Sequence, residues 1–449
     1  AQRAWALTGI RERSAAILRF HDIVLRRREE ILDLLQLEAG KARRDALEEV
    51  LDVLINARHY ARDARRLLAS RRVRGAIPGL VGVEVRHIPW GVVCVIAPWN
   101  YPLTLTASDS IPALLAGNAV VLKPDEKTTL TALWVRDRFI EAGVPADLIQ
   151  VVVGSGEALG PQVIDEADYV MFTGSTRVGR IVAARCGEQL TPCSMELGGK
   201  NAMIVLADAD IPRAAGIAAR ASFANAGQLC ISMERLLVDE SIYAPFVEAF
   251  VKATVALRLG AKVGWEAQVG SLIGSDQLAR VQRHVDDALA KGARVRAGGR
   301  SRPEIGPYVF EPTILEGVVD VALHAGELVR APVVAVRASA TDAEAIALAN
   351  ETSYGLNAAV LGRDRAAARQ VARQLRAGTV NVNEGYAAAW GSVRAPMGGM
   401  GMSGLGRRHG DEGLLKYTQA QSIATQRYLG FGAPRGWSDE RWGQALVGG

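Results

Sequence analysis

Cys230 closes the run Asn225-Ala226-Gly227-Gln228-Leu229-Cys230, and Glu196 stands 34 residues upstream at the head of Glu196-Leu197-Gly198-Gly199-Lys200. A thiolate is a strong nucleophile and a neutral thiol is not, so covalent catalysis by cysteine needs a base within reach. A thiol after a Gly-Gln turn and a carboxylate in a Gly-Gly loop meet that requirement. Taken alone, a cysteine among small residues is ordinary buried filler; it is the pairing that points to chemistry.

Three further segments carry polar groups at useful places. In Ala97-Pro98-Trp99-Asn100-Tyr101-Pro102 the prolines stiffen a turn after an apolar run, and Asn100 is either a turn residue or an amide donor to a developing oxyanion. Lys123-Pro124-Asp125-Glu126 follows a second apolar run and suits a ribose with its neighbouring phosphate, or an ordinary charged loop. Phe172-Thr173-Gly174-Ser175-Thr176-Arg177-Val178-Gly179 joins a strand to a helix, whose N-terminal N–H groups favour a pyrophosphate. Neither that loop nor Val153-Gly154-Ser155-Gly156 is the full Gly-x-Gly-x-x-Gly fingerprint.

The elements that must hold these residues follow from periodicity. Residues 1–70 place apolar side chains at helical spacing through Ile17-Leu18, Ile23-Val24-Leu25 and Ile31-Leu32, and a break is expected at Gly75 to Gly79. Valine at every second position in 81–86 predicts an exposed strand, and Gly91 to Ile96 a buried parallel one. Strands at 119–122, 149–153 and 169–172, with helices at 128–142 and 176–187, predict a doubly wound α/β sheet. A second series starts near Asn201, with helices at 211–226, 241–258 and 275–291 and a strand at 236–238. A domain boundary just after Gly199 would set Glu196 and Cys230 on opposite sides of a cleft.

In this order the segments resemble the aldehyde dehydrogenase superfamily across essentially the whole chain, as far as Leu414-Leu415-Lys416-Tyr417-Thr418. The match extends to Gly378-Thr379-Val380-Asn381-Val382-Asn383 and Pro396-Met397-Gly398-Gly399, and the chain looks most like a bacterial succinate-semialdehyde dehydrogenase branch. The resemblance implies an α/β fold with a Rossmann-like cofactor domain (1–80 and 92–197), an α/β catalytic domain (198–415), bridging strands (81–91 and 416–430) and a tail (431–449). It implies oxidation of an aldehyde to an acid through a thiohemiacetal and a thioester on Cys230, with Asn100 at the oxyanion and Glu196 as base.

The cofactor implied is NAD, because Glu126 would repel a 2′-phosphate; Lys123 beside it leaves NADP open. Its site would comprise Ala97, Pro98, Trp99, Lys123, Glu126, Gly154, Thr173, Gly174, Ser175, Val178, Leu197 and Gly198. The aldehyde tunnel would be lined by Tyr101, Leu105, Leu229, Ile231, Trp390 and Met397, with Arg394 and Ser392 holding a substrate carboxylate. The strands near 81–88 and after Thr418 resemble subunit-bridging elements, so a homodimer or homotetramer is expected.

One motif departs from the family. Where members usually read Glu-x-Phe-Gly-Pro, this chain reads Leu328-Val329-Arg330-Ala331-Pro332. Leu328 replaces the glutamate that grips the nicotinamide ribose, and Arg330 the phenylalanine that backs the ring. Gly401 stands where lysine is usual and Met397 where phenylalanine is common. These changes keep two other readings open: a cysteine acyltransferase or hydrolase with weakened cofactor use, and a non-enzymatic paralogue.

Composition bounds the rest. The 449 residues call for two or three domains, and 49% apolar with 22% charged residues is ordinary globular usage. The net charge of +5 has no cluster tighter than Arg26-Arg27-Arg28, so no nucleic-acid partner is expected. No apolar run approaches the roughly 18 residues of a membrane span. The chain opens on a helical pattern without an initiator methionine or signal layout, which suits a trimmed version of something longer. Four scattered cysteines fit a reducing cytoplasm, and six dispersed histidines give no metal site.

Overall fold

The computed structural model describes residues 1–75, 81–318, 330–427 and 432–447. The N-terminal block is helical as its spacing requires, over Ile10–Arg26, Arg28–Ala39 and Arg43–Leu67. Ile17, Phe20, Ile23 and Val24 form the buried stripe of the first of these, with Phe20 stacked on Phe139 at 3.9 Å between ring centroids. Gly40 ends the second helix in the left-handed conformation (φ 68°), which glycine adopts without steric cost.

Sixteen strands are described. β1 (Arg71–Arg74) and β2 (Val81–Pro89) precede the run β3 (Val92–Ala97), β4 (Ala119–Pro124), β5 (Ile149–Val151), β6 (Tyr169–Thr173) and β7 (Cys193–Glu196). Next come β8 (Ala202–Val205), β9 (Arg235–Asp239), β10 (Arg294–Ala297), β11 (Thr313–Glu316), β12 (Val333–Ser339), β13 (Asn357–Leu361) and β14 (Thr379–Val382). β15 (Gly404–Leu405) and β16 (Thr418–Gln426) follow.

The first sheet has the order β15-β7-β6-β3-β4-β5, parallel except for β15. From β3 the chain moves outward to β4 and β5, then returns to β6 on the other side of β3. The order therefore reverses between β3 and β6, and ligands of such sheets bind at the carboxyl ends beside that switch. The second sheet runs β10-β11-β12-β9-β8-β13-β14, with β10 an antiparallel edge. The boundary expected after Gly199 falls between β7 and β8, although β15 returns from late in the chain to pair with β7.

Two expectations need correction. The strand at 81–86 is longer and half-buried: β2 is the central strand of an antiparallel sheet, β1-β2-β16, so both its neighbours cover it. The helix expected over 211–226 stops at Phe223, because Asn225, Ala226 and Gly227 turn left-handed (φ 51°, 53° and 70°). The break expected at 75–79 and the whole of Leu328 and Val329 lie outside the described residues, apart from Gly75. In the tail, a helix spans Asp439–Val447 and Trp437 meets Trp442 edge-on at 6.1 Å. Among the described residues no helix is long and apolar enough to cross a membrane, and no cluster could hold a metal ion.

Candidate active site

Cys230 sits in an irregular segment between the helix ending at Phe223 and β9. Two non-glycine residues in the left-handed region cost roughly 1–2 kcal/mol each, so the surroundings must enforce the turn. Several amides do so. The main-chain N–H of Asn225 donates to Asp45 Oδ2 (3.0 Å). Asn201 Nδ2 donates to the carbonyls of Cys230 (2.8 Å) and Ser232 (2.7 Å), and Asn357 Nδ2 to that of Ile231 (2.9 Å). Gly227 admits no side chain, since a Cβ there would lie 1.9 Å from the Ala331 carbonyl oxygen. The segment after Arg330 thus closes over the cysteine loop.

Asn100 follows β3 at the carboxyl edge of the first sheet and is buried. Its main-chain carbonyl accepts from Lys41 Nζ (2.8 Å) and Asn225 Nδ2 (3.0 Å), while its own Nδ2 donates to the Gln228 carbonyl (2.9 Å). That leaves the amide a second N–H, and its Oδ1 is buried with no hydrogen-bond partner.

Glu196 ends β7. Its main-chain carbonyl accepts from Gly174 N (3.0 Å), and a methyl at Gly398 would sit 3.2 Å from its Oε1. Gly378 approaches Gly398 so closely that a Cβ would fall 1.6 Å from the Gly398 carbonyl oxygen. The two late glycine motifs of the sequence therefore meet and form the wall behind the carboxylate. Burial raises the Glu196 pKa to about 7, against the opposing pull of Arg408, Lys416 and Arg407. The Cys230 thiol is raised by burial and then by Glu196, with Arg330 and Arg408 pulling it down. Cysteine and carboxylate thus lie within electrostatic reach of each other, the carboxylate poised to change charge near neutral pH.

The carboxyl ends of β3, β4 and β6 gather the candidate dinucleotide residues. Ala97 ends β3, Lys123 lies at the end of β4, and Thr173 ends β6. Glu126 is exposed just beyond β4, and the buried Lys123 donates to the Pro124 carbonyl (2.9 Å). Ser175 caps the helix Thr176–Gln189 by accepting from Val178 N (3.3 Å), which leaves the loop Thr173-Gly174-Ser175 at that helix's positive end. Gly179 lies so close to Leu197 that a Cβ would be 2.3 Å from its Cδ2, which seats the helix on the Glu196 loop. Gly154 has φ 152° and Gly198 is buried beside Leu197. A strand edge at a topological switch, a capped helix N-terminus and a buried cation fit a nicotinamide dinucleotide.

Arg330, whose φ is 55°, reaches across to donate through Nη2 to the Gly174 carbonyl (3.0 Å), while its own carbonyl accepts from Gln277 Nε2 (2.6 Å). Leu328 itself lies outside the described residues.

Tyr101, Leu105, Leu229, Ile231 and Met397 share one buried apolar cluster, and Trp390 packs partly buried against it. Arg394 and Ser392 do not join them. Arg394 is 81% exposed and 3.9 Å from Asp63, and the exposed Ser392 donates to the Ala388 carbonyl (2.6 Å). Sequence reasoning passed over Asn201, Asn357, Lys41, Arg408 and Lys416 because each acts at long range in the chain. Asn225 and Gln228 were in view beside Cys230, but their role as tethers had no signal.

A model of the aldehyde dehydrogenase family matches residues 1–423. A Mycolicibacterium smegmatis protein provisionally named succinate-semialdehyde dehydrogenase [NADP(+)] is 50% identical over 447 residues, covering 100% of this chain and 86% of that one. The mitochondrial succinate-semialdehyde dehydrogenase of Oryza sativa subsp. japonica is 35% identical over 425 residues, covering 94% and 79%. Among solved structures, betaine aldehyde dehydrogenase from Staphylococcus aureus in complex with NAD+ superposes with a TM-score of 0.90 at 31% identity, covering 95% and 85%. An NADP-dependent enzyme from E. coli gives 0.91 at 32%, covering 95% and 88%. The chain belongs to the aldehyde dehydrogenase family. It is an oxidoreductase that oxidises an aldehyde with a nicotinamide dinucleotide.

Proposed function

We propose that this enzyme oxidises succinate semialdehyde or a closely similar semialdehyde, with Cys230 as nucleophile, Glu196 as base and Asn100 at the oxyanion. The observation that carries the reading is the convergence of a cysteine and an electrostatically coupled, buried carboxylate at the dinucleotide edge of the first sheet. Cys230 sulfur bonds to the aldehyde carbon, and the resulting thiohemiacetal oxyanion accepts from the spare Asn100 amide N–H and the Cys230 main-chain N–H. A nicotinamide held by the residues named below would supply the two-electron acceptor for the hydride that this adduct must lose to become a thioester. Glu196 takes the thiol proton and passes it to solvent, then takes a proton from the water that attacks the thioester and returns it to the departing Cys230 thiolate, releasing the acid and the free thiol.

The residues Ala97 to Trp99, Lys123, Glu126, Gly154, Thr173 to Ser175, Val178 and Leu197 to Gly198 would hold the dinucleotide. Glu126 favours NAD through the ribose hydroxyls, with NADP the alternative suggested by the relatives' names. The semialdehyde rests on those names, since Arg394 is solvent-facing. The first domain spans 1–80 and 92–197, except that β1 pairs with β2 in the three-stranded sheet, and the second spans 198–415, except that β15 pairs with β7 in the first sheet. The exposed β16, an edge strand of the three-stranded sheet, supports assembly as a homodimer or a homotetramer built from dimers. The four free thiols suit the cytoplasm.

The test is titration with NAD and with NADP, followed by absorbance of the reduced nicotinamide over an aldehyde panel that includes succinate semialdehyde. Cys230-dependent ester hydrolysis without binding of either dinucleotide would replace this reading with that of an acyltransferase or hydrolase. Faster oxidation of uncharged aldehydes than of every semialdehyde would remove the substrate assignment.

A further inference from the structure

We propose that Lys41, in the N-terminal helical block, is a positioning residue for the oxyanion site, acting through the main-chain carbonyl of Asn100. The proposal rests on the reading of Asn100 given above. Lys41 and its partner Glu49 are both fully buried. An ion pair without solvent gains little net stability once its desolvation is counted, so its presence calls for another reason. The ammonium supplies one. Besides bonding Glu49, its Nζ donates to the Asn100 carbonyl (2.8 Å) and lies 4.2 Å from the centre of the Tyr101 ring.

Glu49 is tied to the same turn from the other side. Its Oε2 accepts from Leu103 N (2.9 Å) and Thr104 N (3.0 Å), the first free donors of the helix Pro102–Ala116. The pair thus grips the Asn100-Tyr101 turn at the carbonyl preceding the helix and at the helix N-terminus.

The grip also joins the turn to the cysteine loop. The second donor on the Asn100 carbonyl is Asn225, and the Asn100 amide returns to the Gln228 carbonyl. Gln228 Nε2 in turn donates to the Ser271 carbonyl (3.3 Å), and Ser271 N donates to the carbonyl of Gly40, next to Lys41 (2.8 Å). The circuit is closed. With both acceptor positions of its carbonyl occupied, the Asn100 peptide plane is fixed, and with it the direction of the amide. Without Lys41 one of the two donors is lost and the plane can tilt.

The experiment is a double-mutant cycle of Lys41→Met and Asn100→Ala in the full-length enzyme. It reads aldehyde oxidation, hydrolysis of p-nitrophenyl acetate, NAD affinity, and alkylation of Cys230 by iodoacetamide, which needs no oxyanion site. Because Lys41→Met leaves Glu49 buried without its cation, Lys41→Met/Glu49→Gln runs alongside and carries the test should the single variant not fold. Asn100→Ala is expected to slow oxidation and ester hydrolysis by roughly a hundred- to a thousandfold. Lys41→Met should slow both by about ten- to a hundredfold, the scale of a small misplacement of a catalytic group. NAD affinity and alkylation should hold, and adding Lys41→Met to Asn100→Ala should cost nothing further.

Losses that multiply in the double variant, undiminished rates in Lys41→Met, or equal falls in NAD affinity and alkylation would overturn the proposal. Full activity in Asn100→Ala would instead overturn the oxyanion reading beneath it.

Discussion

Replacing Glu196 with glutamine separates its catalytic use from its cost to the fold. Burial shifts this carboxyl from the usual 4.5 to about 7, and each pKa unit is worth about 1.4 kcal/mol. The difference between those values amounts to roughly 3–4 kcal/mol. The sign follows from which form burial disfavours. Below pH 4.5 the group is protonated whether the chain is folded or not, and it costs nothing. Between pH 4.5 and 7 the unfolded chain ionises this carboxyl freely while the folded protein keeps it protonated, so stability falls by that amount and levels off above 7. Glutamine mimics the neutral acid at every pH.

Glu196→Gln should therefore match the wild type in thermal stability below pH 4.5 and exceed it at pH 8, the gap opening between pH 4.5 and 7. The same variant should lose about a hundred- to ten-thousandfold in turnover at pH 8, the contribution of a positioned general base. Melting temperatures of both proteins across this pH range, with steady-state rates on the same preparations, decide the matter. A stability difference independent of pH would refute the burial argument. Undiminished turnover would refute the assignment of the base.

Other outcomes follow from the same geometry. Gly227→Ala places a Cβ 1.9 Å from the Ala331 carbonyl oxygen in a left-handed residue, so activity should collapse and the melting temperature fall; Gly292→Ala, also left-handed but with nothing within 4 Å, should cost only about 1–2 kcal/mol and leave the rate intact. Arg330→Leu removes a charged donor to the Gly174 carbonyl, worth about 1.5–3 kcal/mol, so the KM for NAD should rise tenfold or more. It should also move the pH profile of Cys230 alkylation upward, since Arg330 holds the thiol pKa down. Glu126→Gln removes a carboxylate whose repulsion of a phosphate at 4 Å is worth about 1–4 kcal/mol, so the ratio of NADP to NAD use should rise at least severalfold.

The reactive groups were legible along the chain because local rules suffice to find them. Ala97 and Thr173 each end an apolar strand, and a strand that is apolar on both faces announces a parallel sheet with a working carboxyl edge. Glu196 is legible only from its Gly-Gly loop, because the short strand Cys193–Glu196 before it carries Ser194 and has no apolar run to mark it. The helix over 211–226 was misjudged for an equally physical reason. Alanine favours helix wherever its own propensity decides, and contacts distant in the chain, among them Asp45, Asn100 and the Ala331 backbone, draw Asn225 to Gly227 out of it. The resemblance makes Arg394 a candidate for a substrate carboxylate, yet its side chain turns to solvent toward Asp63.

What the sequence determined by itself is the chemistry: a thiol, a carboxylate and an amide at ordered spacings, with polar turns after buried strands. Only the tertiary structure decided their state. Burial in the packed interior raises the Glu196 and Cys230 pKa values, and the charges that oppose it come from Arg408, Lys416 and Arg330, each about 100 residues or more from Cys230. The same holds for the anchor of Asn100, whose carbonyl is gripped by a lysine 59 residues earlier. Charge interactions and hydrogen bonds act through space, and their partners in the chain are set by how the sheets and helices pack.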